Sequence, residues 1–303
     1  MAGPPDPFRI AVPAGSLDLD LTLSSGQVFR WKRLGPQDWA GPLAGDGVRL
    51  SMSGPDCLLV RHPAGDDARG DVESFLRLDV DLGSVRDELS RRDGRLECLF
   101  ERYPGLRVLR QDPVECLLSF VCAVVTNIPR ISMSLEEVCR VFGRRTACGV
   151  LIWPDLEVLA EAEPEQLRLG GLEFRCRSLS RAARALRERG GAAYLEGLRG
   201  LAYEEAFAEL ASLPHVGPKV ADCVLLFGLG FDEAFPLDTH TWRAAQRLFG
   251  DAAVRRTGRG YREMSRRLRA RLGPWAGWAQ QYLYFDSIAA GRSRPPEGAG
   301  FSR

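Results

Sequence analysis

Lysine is almost absent from this 303-residue chain, and one of its two lysines is placed where an amine could act as a nucleophile. All but two of the 41 lysine and arginine residues are arginine, and the exceptions are Lys32 and Lys219. A guanidinium stays protonated in proteins, whereas a lysine amine that loses its proton can attack an electrophilic carbon and form a Schiff base. We interpret Lys219 as a candidate nucleophile, with chance retention in an arginine-rich chain as the alternative.

A carboxylate follows this amine at a position that suits it as a partner. Asp238 lies 19 residues after Lys219, immediately before a predicted helix that begins near Thr239. An aspartate at a helix N-cap is kept ionised by backbone amides and the helix dipole, so it can stabilise positive charge on a neighbour. An ordinary cap is the alternative for Asp238 alone. Together, an amine and a fixed carboxylate are the two groups needed to displace a base from C1′ of a deoxyribose.

The turn before Lys219 predicts a helix-hairpin-helix. Leu213-Pro214-His215-Val216-Gly217 joins two predicted helices, Tyr203 to Ser212 and Pro218 to Phe227. Backbone N–H groups and the positive dipole end at the start of the second helix favour a phosphate. Such a hairpin holds DNA without reading its sequence. An ordinary turn between packed helices is the alternative.

Apolar periodicity places this hairpin in the second of two differently patterned regions. In the first seventy or so residues, alternating or short apolar runs between Gly-Pro and Gly-Asp breaks predict an antiparallel sheet with strands at Leu17–Leu23, Val28–Trp31, Val48–Met52 and Cys57–Val60. From Asp71 onward the spacing is helical. Besides the hairpin helices, it predicts helices that start at Asp112-Pro113, that contain Leu179 to Leu186, and that span Thr239 to Phe249 and Trp275 to Ile288.

We therefore predict an α+β fold with a β-rich part followed by an all-helical part. The expected divisions are a flexible N-terminus at 1–15, an antiparallel β domain with short helices at 16–105, a helical domain at 106–292 and a flexible tail at 293–303.

Composition excludes several classes of protein. The formal net charge of +1 gives no overall cationic field, so any contact with nucleic acid must come from a local patch. Eight scattered cysteines without a C-x-x-C pair argue against zinc, an iron-sulfur centre or disulfides, and we expect no cofactor and an intracellular setting. The first residues show no basic start followed by an apolar run, and no uninterrupted apolar stretch approaches about 18 residues, so we expect an unexported protein without membrane association.

Several blocks of the sequence resemble the 8-oxoguanine DNA glycosylase/AP lyase family. The blocks are LPHVGPKVADC at 213–223, PLDTHTW at 236–242, SGQVFRW at 25–31, LRQDP at 109–113 and GWAQ at 277–280. The resemblance extends from about Leu17 to about Ala290. It implies a helix-hairpin-helix glycosylase fold with an N-terminal antiparallel β domain, acting on double-stranded DNA that contains an oxidised purine, and we expect a monomer.

The resemblance also implies roles for individual residues. Lys219 would form the Schiff base, with Asp238 as its electrostatic and general acid/base partner. The flipped base would lie between Tyr284 and Cys223. Gln280 would read its Watson–Crick edge, and the backbone carbonyl of Gly26 would accept the hydrogen that N7 carries in the oxidised purine and lacks in guanine.

The resemblance also implies a set of residues that contact DNA. They are Asn127, Arg130, Phe174, Arg175, His215, Gly217, Val220 and His240. Val125 and Thr126 replace asparagines of the family, and Val125 cannot donate a hydrogen bond to the base opposite the lesion. Arg130 and Arg175 remain as candidate readers of that base, with a solvated helix face as the alternative.

Two other functions stay open on the sequence alone. One is a related helix-hairpin-helix glycosylase for another damaged base, although the cysteine cluster of the adenine-specific branch is missing here. The other is a non-catalytic module that only grips the DNA backbone, for which a carboxylate near the hairpin would be unfavourable.

Overall fold

The computed structural model describes residues 6–124, 126–168, 172–173, 175–250 and 254–292. It confirms the α+β class: a five-stranded sheet precedes a set of helices. The strands of this sheet are β1 (Phe8–Ala11), β2 (Lys32–Gly35), β3 (Asp38–Leu43), β4 (Asp46–Met52) and β5 (Cys57–Arg61). They lie in the order β1-β5-β4-β3-β2, with every neighbouring pair antiparallel.

Strand β1 corrects the prediction of a flexible N-terminus. Phe8 lies opposite Val60 and Ala11 opposite Cys57, so this segment completes the sheet along β5. Ile10, between them, is only 3% exposed. Burial of Ile10 and packing of Phe8 against the sheet core stabilise the strand despite the Pro- and Gly-rich composition of this segment. Residues 1–5 lie outside the described part.

Two predicted strands are absent at their predicted positions. Instead of a strand at Leu17–Leu23 there is a short helix, α1 (Leu19–Leu23), whose N-cap Asp18 accepts a hydrogen bond from the backbone of Leu21 at 2.8 Å. The cap closes a helical turn that alternation alone does not reveal. Val28–Trp31 forms a loop, and β2 begins one residue after it.

The remaining helices follow the sheet. Their bounds are α2 (Arg69–Leu76), α3 (Leu82–Arg92), α4 (Glu97–Arg102), α5 (Pro113–Cys122), α6 (Ile128–Phe142), α7 (Leu156–Glu161), α8 (Pro164–Leu167), α9 (Arg175–Glu188), α10 (Gly191–Leu198), α11 (Tyr203–Ala211), α12 (Pro218–Val224), α13 (Thr239–Phe249), α14 (Gly258–Leu272) and α15 (Ala276–Arg292). A two-stranded hairpin, β6 (Arg144–Arg145) and β7 (Leu151–Ile152), follows α6. None of the described helices is long and apolar enough to cross a membrane.

Two hydrophobic cores underlie the two parts of the chain. The sheet core contains Ile10, Leu50, Leu58 and Val60 together with α2. The larger core joins the helices from α3 onward. Because α3 and α4 pack into the larger core, the two cores meet nearer residue 80 than the predicted boundary at residue 105.

Charged side chains connect the two parts where they meet. Arg77, which follows α2, donates to both carboxylate oxygens of Asp232 at 2.5 and 2.9 Å, and Trp278 Nε1 donates to the same carboxylate at 2.9 Å. Arg107 is 2% exposed and donates to several backbone carbonyls, among them those of Ser16 and Leu76–Arg77. Burial lowers the pKa of the Arg107 guanidinium to about 10. The surface lysine, Lys32 on β2, pairs with Glu136 on α6.

Candidate active site

Lys219 and Asp238 line a common space. A cavity of about 780 Å³ opens beside α5, α6 and α12, and a chamber of about 40 Å³ adjoins it. Five residues line both: Gly26, Phe120, Lys219, Asp238 and Tyr284. The amine and the carboxylate, which come from different helices, therefore face the same site.

Helix geometry positions Lys219 in the first turn of α12. Gly217 is the N-cap and Pro218 the first residue of this helix, which continues as a π-helical turn over Leu225–Leu229. The Lys219 Nζ lies 4.7 Å from the centroid of the Phe120 ring, a distance that favours a cation over the ring face. Lys219 is half-buried, so its amine is screened from bulk water while it remains open to the cavity.

Cys223 lies one turn after Lys219 and lines the small chamber. The residue is only 2% exposed. Burial raises the pKa of its thiol to about 11, against the opposing effect of the neighbouring Lys219 ammonium. The thiol is therefore protonated at neutral pH and presents a small apolar surface to the chamber.

Asp238 is the N-cap of α13. Its Oδ1 accepts a hydrogen bond from the backbone N–H of Thr241 at 2.7 Å, and Oδ2 takes no part in this cap. The carboxylate thus has a fixed orientation with one oxygen left for the cavity. The predicted cap and the predicted start of the helix at Thr239 are both confirmed.

The last helix brings Gln280 and Tyr284 to the same chamber, as their spacing predicts. Gln280 is 4% exposed, and its Nε2 donates to Thr241 Oγ1 at 3.3 Å. Its Oε1 is buried and has no hydrogen-bond partner among the described residues. A buried amide oxygen without a partner is costly, so a donor on a bound ligand would be favourable at this point.

Gly26 approaches the site closely from the loop between α1 and β2. Its φ of +78° is left-handed, and a Cβ at this position would lie 3.1 Å from the Tyr284 hydroxyl and 3.0 Å from Ile128 Cδ1. Any larger residue would be strained and would crowd the cavity.

The predicted DNA contacts divide into two groups. Those that line the larger cavity are Asn127, His215, Gly217, Val220 and His240. Arg130 and Arg175 do not line it: Arg130 pairs with Glu173, and the buried Arg175 donates to the Val124 carbonyl at 3.0 Å. Phe174 and Val125 lie outside the described residues.

The hairpin turn has one left-handed residue that is not glycine. His215 has a φ of +64° and an exposed side chain, whose Nδ1 lies 3.3 Å from Ser178 Oγ. After it, the backbone N–H of Val216 donates to the Leu213 carbonyl at 3.2 Å. The turn therefore ends at Gly217, and the first residues of α12 line the larger cavity.

A buried carboxylate behind the site was missed by the sequence interpretation. Asp222 is fully buried and accepts hydrogen bonds from the hydroxyls of Tyr203 at 2.5 Å and Tyr261 at 2.6 Å. The Tyr261 hydroxyl accepts in turn from the backbone N–H of Leu237 at 3.1 Å. This network ties α12 to the residue before Asp238. A lone acid in the apolar run Val220 to Leu226 is the signal that indicates such a buried, paired carboxylate.

Within the described residues, no three His, Cys, Asp or Glu side chains are grouped so that they could hold a metal ion.

Known proteins are similar to this chain in sequence and in fold. Residues 9–117 match the family described as 8-oxoguanine DNA glycosylase, N-terminal domain. Over 309 residues the chain is 31% identical to N-glycosylase/DNA lyase OGG1 of Arabidopsis thaliana, which covers 95% of this chain and 82% of that protein.

Solved structures are similar over nearly the whole chain. MBOgg1 in complex with a low affinity DNA ligand has a TM-score of 0.85 at 26% identity, covering 96% of this chain and 98% of that one. The 8-oxoguanine glycosylase/lyase of Clostridium acetobutylicum, in complex with double-stranded DNA containing cytosine opposite 8-oxoG, has a TM-score of 0.84 at 25% identity, covering 94% and 98%.

Proposed function

This chain belongs to the family of 8-oxoguanine N-glycosylases/DNA lyases, and we propose that Lys219 and Asp238 carry out its two reactions. The enzyme excises 8-oxoguanine from DNA and cleaves the strand at the abasic site that remains, as a step of base excision repair. The observation that supports the assignment is that the amine and the carboxylate line the same cavity. A module that only grips DNA would need neither group there.

Recognition requires the damaged nucleotide to leave the stack and enter the cavities. Its ring is held between Tyr284 and Cys223, which both line the small chamber. The unpartnered Oε1 of Gln280 accepts a hydrogen bond from an N–H on the Watson–Crick edge. The carbonyl of Gly26 accepts the hydrogen on N7, which distinguishes 8-oxoguanine from guanine.

The glycosylase step joins the neutral Nζ of Lys219 to C1′ as the C1′–N9 bond breaks. The electron pair of that bond leaves with the base, and the base takes up the proton that the attached nitrogen of Lys219 gives up. Positive charge develops at C1′ in the transition state, and the Asp238 carboxylate stabilises it. The hydrogen bond from Thr241 at 2.7 Å keeps that carboxylate oriented before the reaction begins.

The lyase step follows from the covalent adduct. The attached nitrogen of Lys219 donates its electron pair to C1′, the C1′–O4′ bond breaks, O4′ takes up a proton, and a protonated Schiff base remains. Removal of a C2′ proton then expels the 3′-phosphate with the electron pair of the C3′–O bond. Water hydrolyses the Schiff base and restores the amine. Cys223 does not compete as a nucleophile, because burial keeps its thiol protonated.

Contacts outside the chamber hold the duplex. The hairpin presents its backbone amides to a phosphate of the lesion strand, and the residues assigned to this face are Asn127, His215, Gly217, Val220 and His240. Arg130 and Arg175 are assigned to the opposite strand. To contact DNA, Arg130 must leave Glu173 and Arg175 must leave the Val124 carbonyl. Phe174 is assigned as the wedge beside the orphaned base.

One chain supplies both walls of the cavity, which supports action as a monomer. Because the substrate is DNA, we place the enzyme in the compartment that holds DNA: the nucleus of a eukaryote, or the cytoplasm and nucleoid of a prokaryote.

Borohydride trapping on a duplex with one 8-oxoguanine tests the nucleophile. We expect Lys219→Gln to lose all covalent trapping and to retain duplex binding, because the glutamine amide keeps much of the lysine's length but is not a nucleophile. The matched control is Lys32→Gln, which removes the other lysine of the chain, an exposed residue paired with Glu136. This control should trap like the wild type. Trapping that persists in Lys219→Gln would show that another amine attacks C1′.

A further inference from the structure

The carbonyl groups of Ser25 and Gln27, the two neighbours of Gly26, are held by glutamine side chains from distant parts of the chain. Gln111 Nε2 donates to the Gln27 carbonyl at 2.8 Å, and Gln281 Nε2 donates to the Ser25 carbonyl at 3.1 Å. Gln111 immediately precedes the Asp112 cap of α5, and Gln281 is on α15 next to Gln280. The residue before the cap of α5 and a residue of α15 therefore each fix one neighbour of Gly26.

The side chain of Gln27 fixes the same turn from inside. Gln27 has no exposed surface, and its Nε2 donates to Ser25 Oγ at 2.9 Å and to the Arg107 carbonyl at 2.7 Å. Its Oε1 accepts from the backbone N–H of Leu109 at 2.8 Å. Both ends of this buried amide are thus paired, as expected for a group that specifies one conformation.

Gly26 itself is left out of this network. The bonds that hold the turn go to the Ser25 and Gln27 carbonyls, while the Gly26 carbonyl accepts none of them. The residue has a left-handed φ of +78° and lines both cavities. A glycine has wide conformational freedom, so its carbonyl keeps one direction only if its neighbours are held.

We propose that Gln27, Gln111 and Gln281 are positioning residues that aim the Gly26 carbonyl at the base, and that they thereby set the preference for a purine with hydrogen on N7. This inference rests on the proposed function, in which that carbonyl accepts the N7 hydrogen. Gln27 and Gln111 line neither cavity, so they act through the turn, whereas Gln281 also lines the small chamber. Lys219 and Asp238 come from other elements.

A reaction without a base separates positioning from chemistry. Cleavage of a preformed abasic site needs the amine and the carboxylate but offers nothing for the Gly26 carbonyl to read. Excision of 8-oxoguanine needs all three. Substitutions in the glutamine network should therefore lower excision while they leave abasic-site cleavage unchanged.

The test compares single-turnover rates of both reactions in Gln281→Met, which keeps the length of the side chain and removes its donor. We expect excision to fall roughly 10- to 100-fold, the size of effect that misplacement of a contacting group by about 1 Å produces. Abasic-site cleavage should stay at the wild-type rate. Gln111→Met, a change at a half-buried residue on the other side of the turn, should reproduce this split and covers the case in which Gln281→Met does not fold.

The control is Gln246→Met, at a half-buried glutamine whose Nε2 also donates to a backbone carbonyl, that of Val254 at 3.4 Å. Both rates should be unchanged in it. Equal loss of the two reactions in the Gln281 and Gln111 variants, or no loss in either, would overturn the inference. A wild-type enzyme that cleaves abasic sites without excising 8-oxoguanine would instead overturn the proposed function.

Discussion

At the scale of single residues, the buried carboxylate of Asp222 connects the nucleophile's helix to the segment that carries Asp238. Its two tyrosine partners, Tyr203 and Tyr261, come from α11 and α14. The Tyr261 hydroxyl also accepts a hydrogen bond from the backbone N–H of Leu237. A carboxylate that accepts two hydroxyl hydrogens can be buried at moderate cost, whereas an unpaired one cannot. Through these hydrogen bonds Asp222 helps to fix the distance between α12 and the start of α13.

The ionisation of Asp222 makes stability depend on pH. Burial raises the pKa of its carboxyl from 3.8 to about 6, so the folded protein holds this proton more tightly than the unfolded chain. The resulting stabilisation is fully present below the unfolded pKa and is lost as pH rises through the folded pKa. We predict that the stability advantage of the wild type over Asp222→Asn shrinks by roughly 3 kcal/mol as the pH rises from acid to neutral.

Urea unfolding of both proteins at a series of pH values measures this difference. Above about pH 7 the difference should be flat, because the carboxyl is then ionised in both states. An advantage that grows with pH would mean that the tyrosine hydroxyls hold the carboxylate ionised more strongly than burial opposes it.

The candidate site was predictable where residue type carries the chemistry. Lys219 is distinctive in an arginine-rich chain, Asp238 precedes a helix, and Gln280 and Tyr284 share a helical face; the structure brings all four to one chamber. Phe120 was not predictable, because an aromatic residue in an apolar helix has no local mark of function. The glutamine network was hidden as well, since Gln281 lies 256 residues from the carbonyl that it contacts.

At the scale of elements, the turn of the helix-hairpin-helix has a strained backbone conformation at a place that we assign to phosphate binding. Its left-handed position is occupied by His215, and a residue with a Cβ pays roughly 1–2 kcal/mol for this conformation. The first residues of α12 still line the cavity, where backbone amides alone suffice to hold a phosphate.

Substitutions at His215 should separate strain from DNA binding. We predict that His215→Gly raises the free energy of unfolding by about 0.5–1 kcal/mol, since the relief of strain exceeds the entropy that glycine adds to the unfolded chain. His215→Val should lower it by about 1–2 kcal/mol, because a β-branched residue fits a positive φ poorly. Thermal unfolding measures both variants. Duplex affinity of the glycine variant should match the wild type, and a large loss would show that the imidazole itself contacts DNA.

Secondary structure was predictable wherever local signals were complete. Asp112 caps α5 as predicted, with its carboxylate 2.8 Å from the backbone nitrogen of Glu115, and α13 has the predicted bounds. The segment around α1 failed because its conformation depends on distant contacts. There the Asp18 N–H donates to the Gly105 carbonyl at 2.9 Å and Thr22 Oγ1 donates to the same oxygen at 3.3 Å. The apolar alternation of Leu17–Leu23 cannot reveal a contact with Gly105, which lies more than 80 residues later.

At the scale of the whole molecule, the sheet and the helices must keep a fixed relation, because the loop with Gly26 and the helices with Lys219 and Asp238 enclose one cavity. The ion pair of Arg77 with Asp232 contributes to this relation. Both side chains are largely buried, at 4% and 20% exposed. Removal of one partner leaves the other charge without compensation.

A double-mutant cycle measures this coupling. We predict that Asp232→Ala and Arg77→Leu each lower the free energy of unfolding by roughly 3–5 kcal/mol. The free energy of unfolding of the double variant should fall by about 1–3 kcal/mol less than the sum of the two single decreases, because neither charge is then left without its partner. Chemical denaturation of the four proteins gives the interaction free energy. Strict additivity would show that the two side chains contribute independently.

The placement of the two lysines offers an isotopic probe of the nucleophile. Lys32 is 64% exposed at the surface, whereas Lys219 lines the cavity. Reductive methylation with ¹³C-formaldehyde labels lysine amines and leaves the guanidinium groups unmodified. In a Lys32→Arg background, the dimethylamino resonance of Lys219 is then the one lysine signal in the spectrum. Its chemical shift as a function of pH reports the ionisation of the amine at residue 219 by direct titration, with and without an oligonucleotide bound.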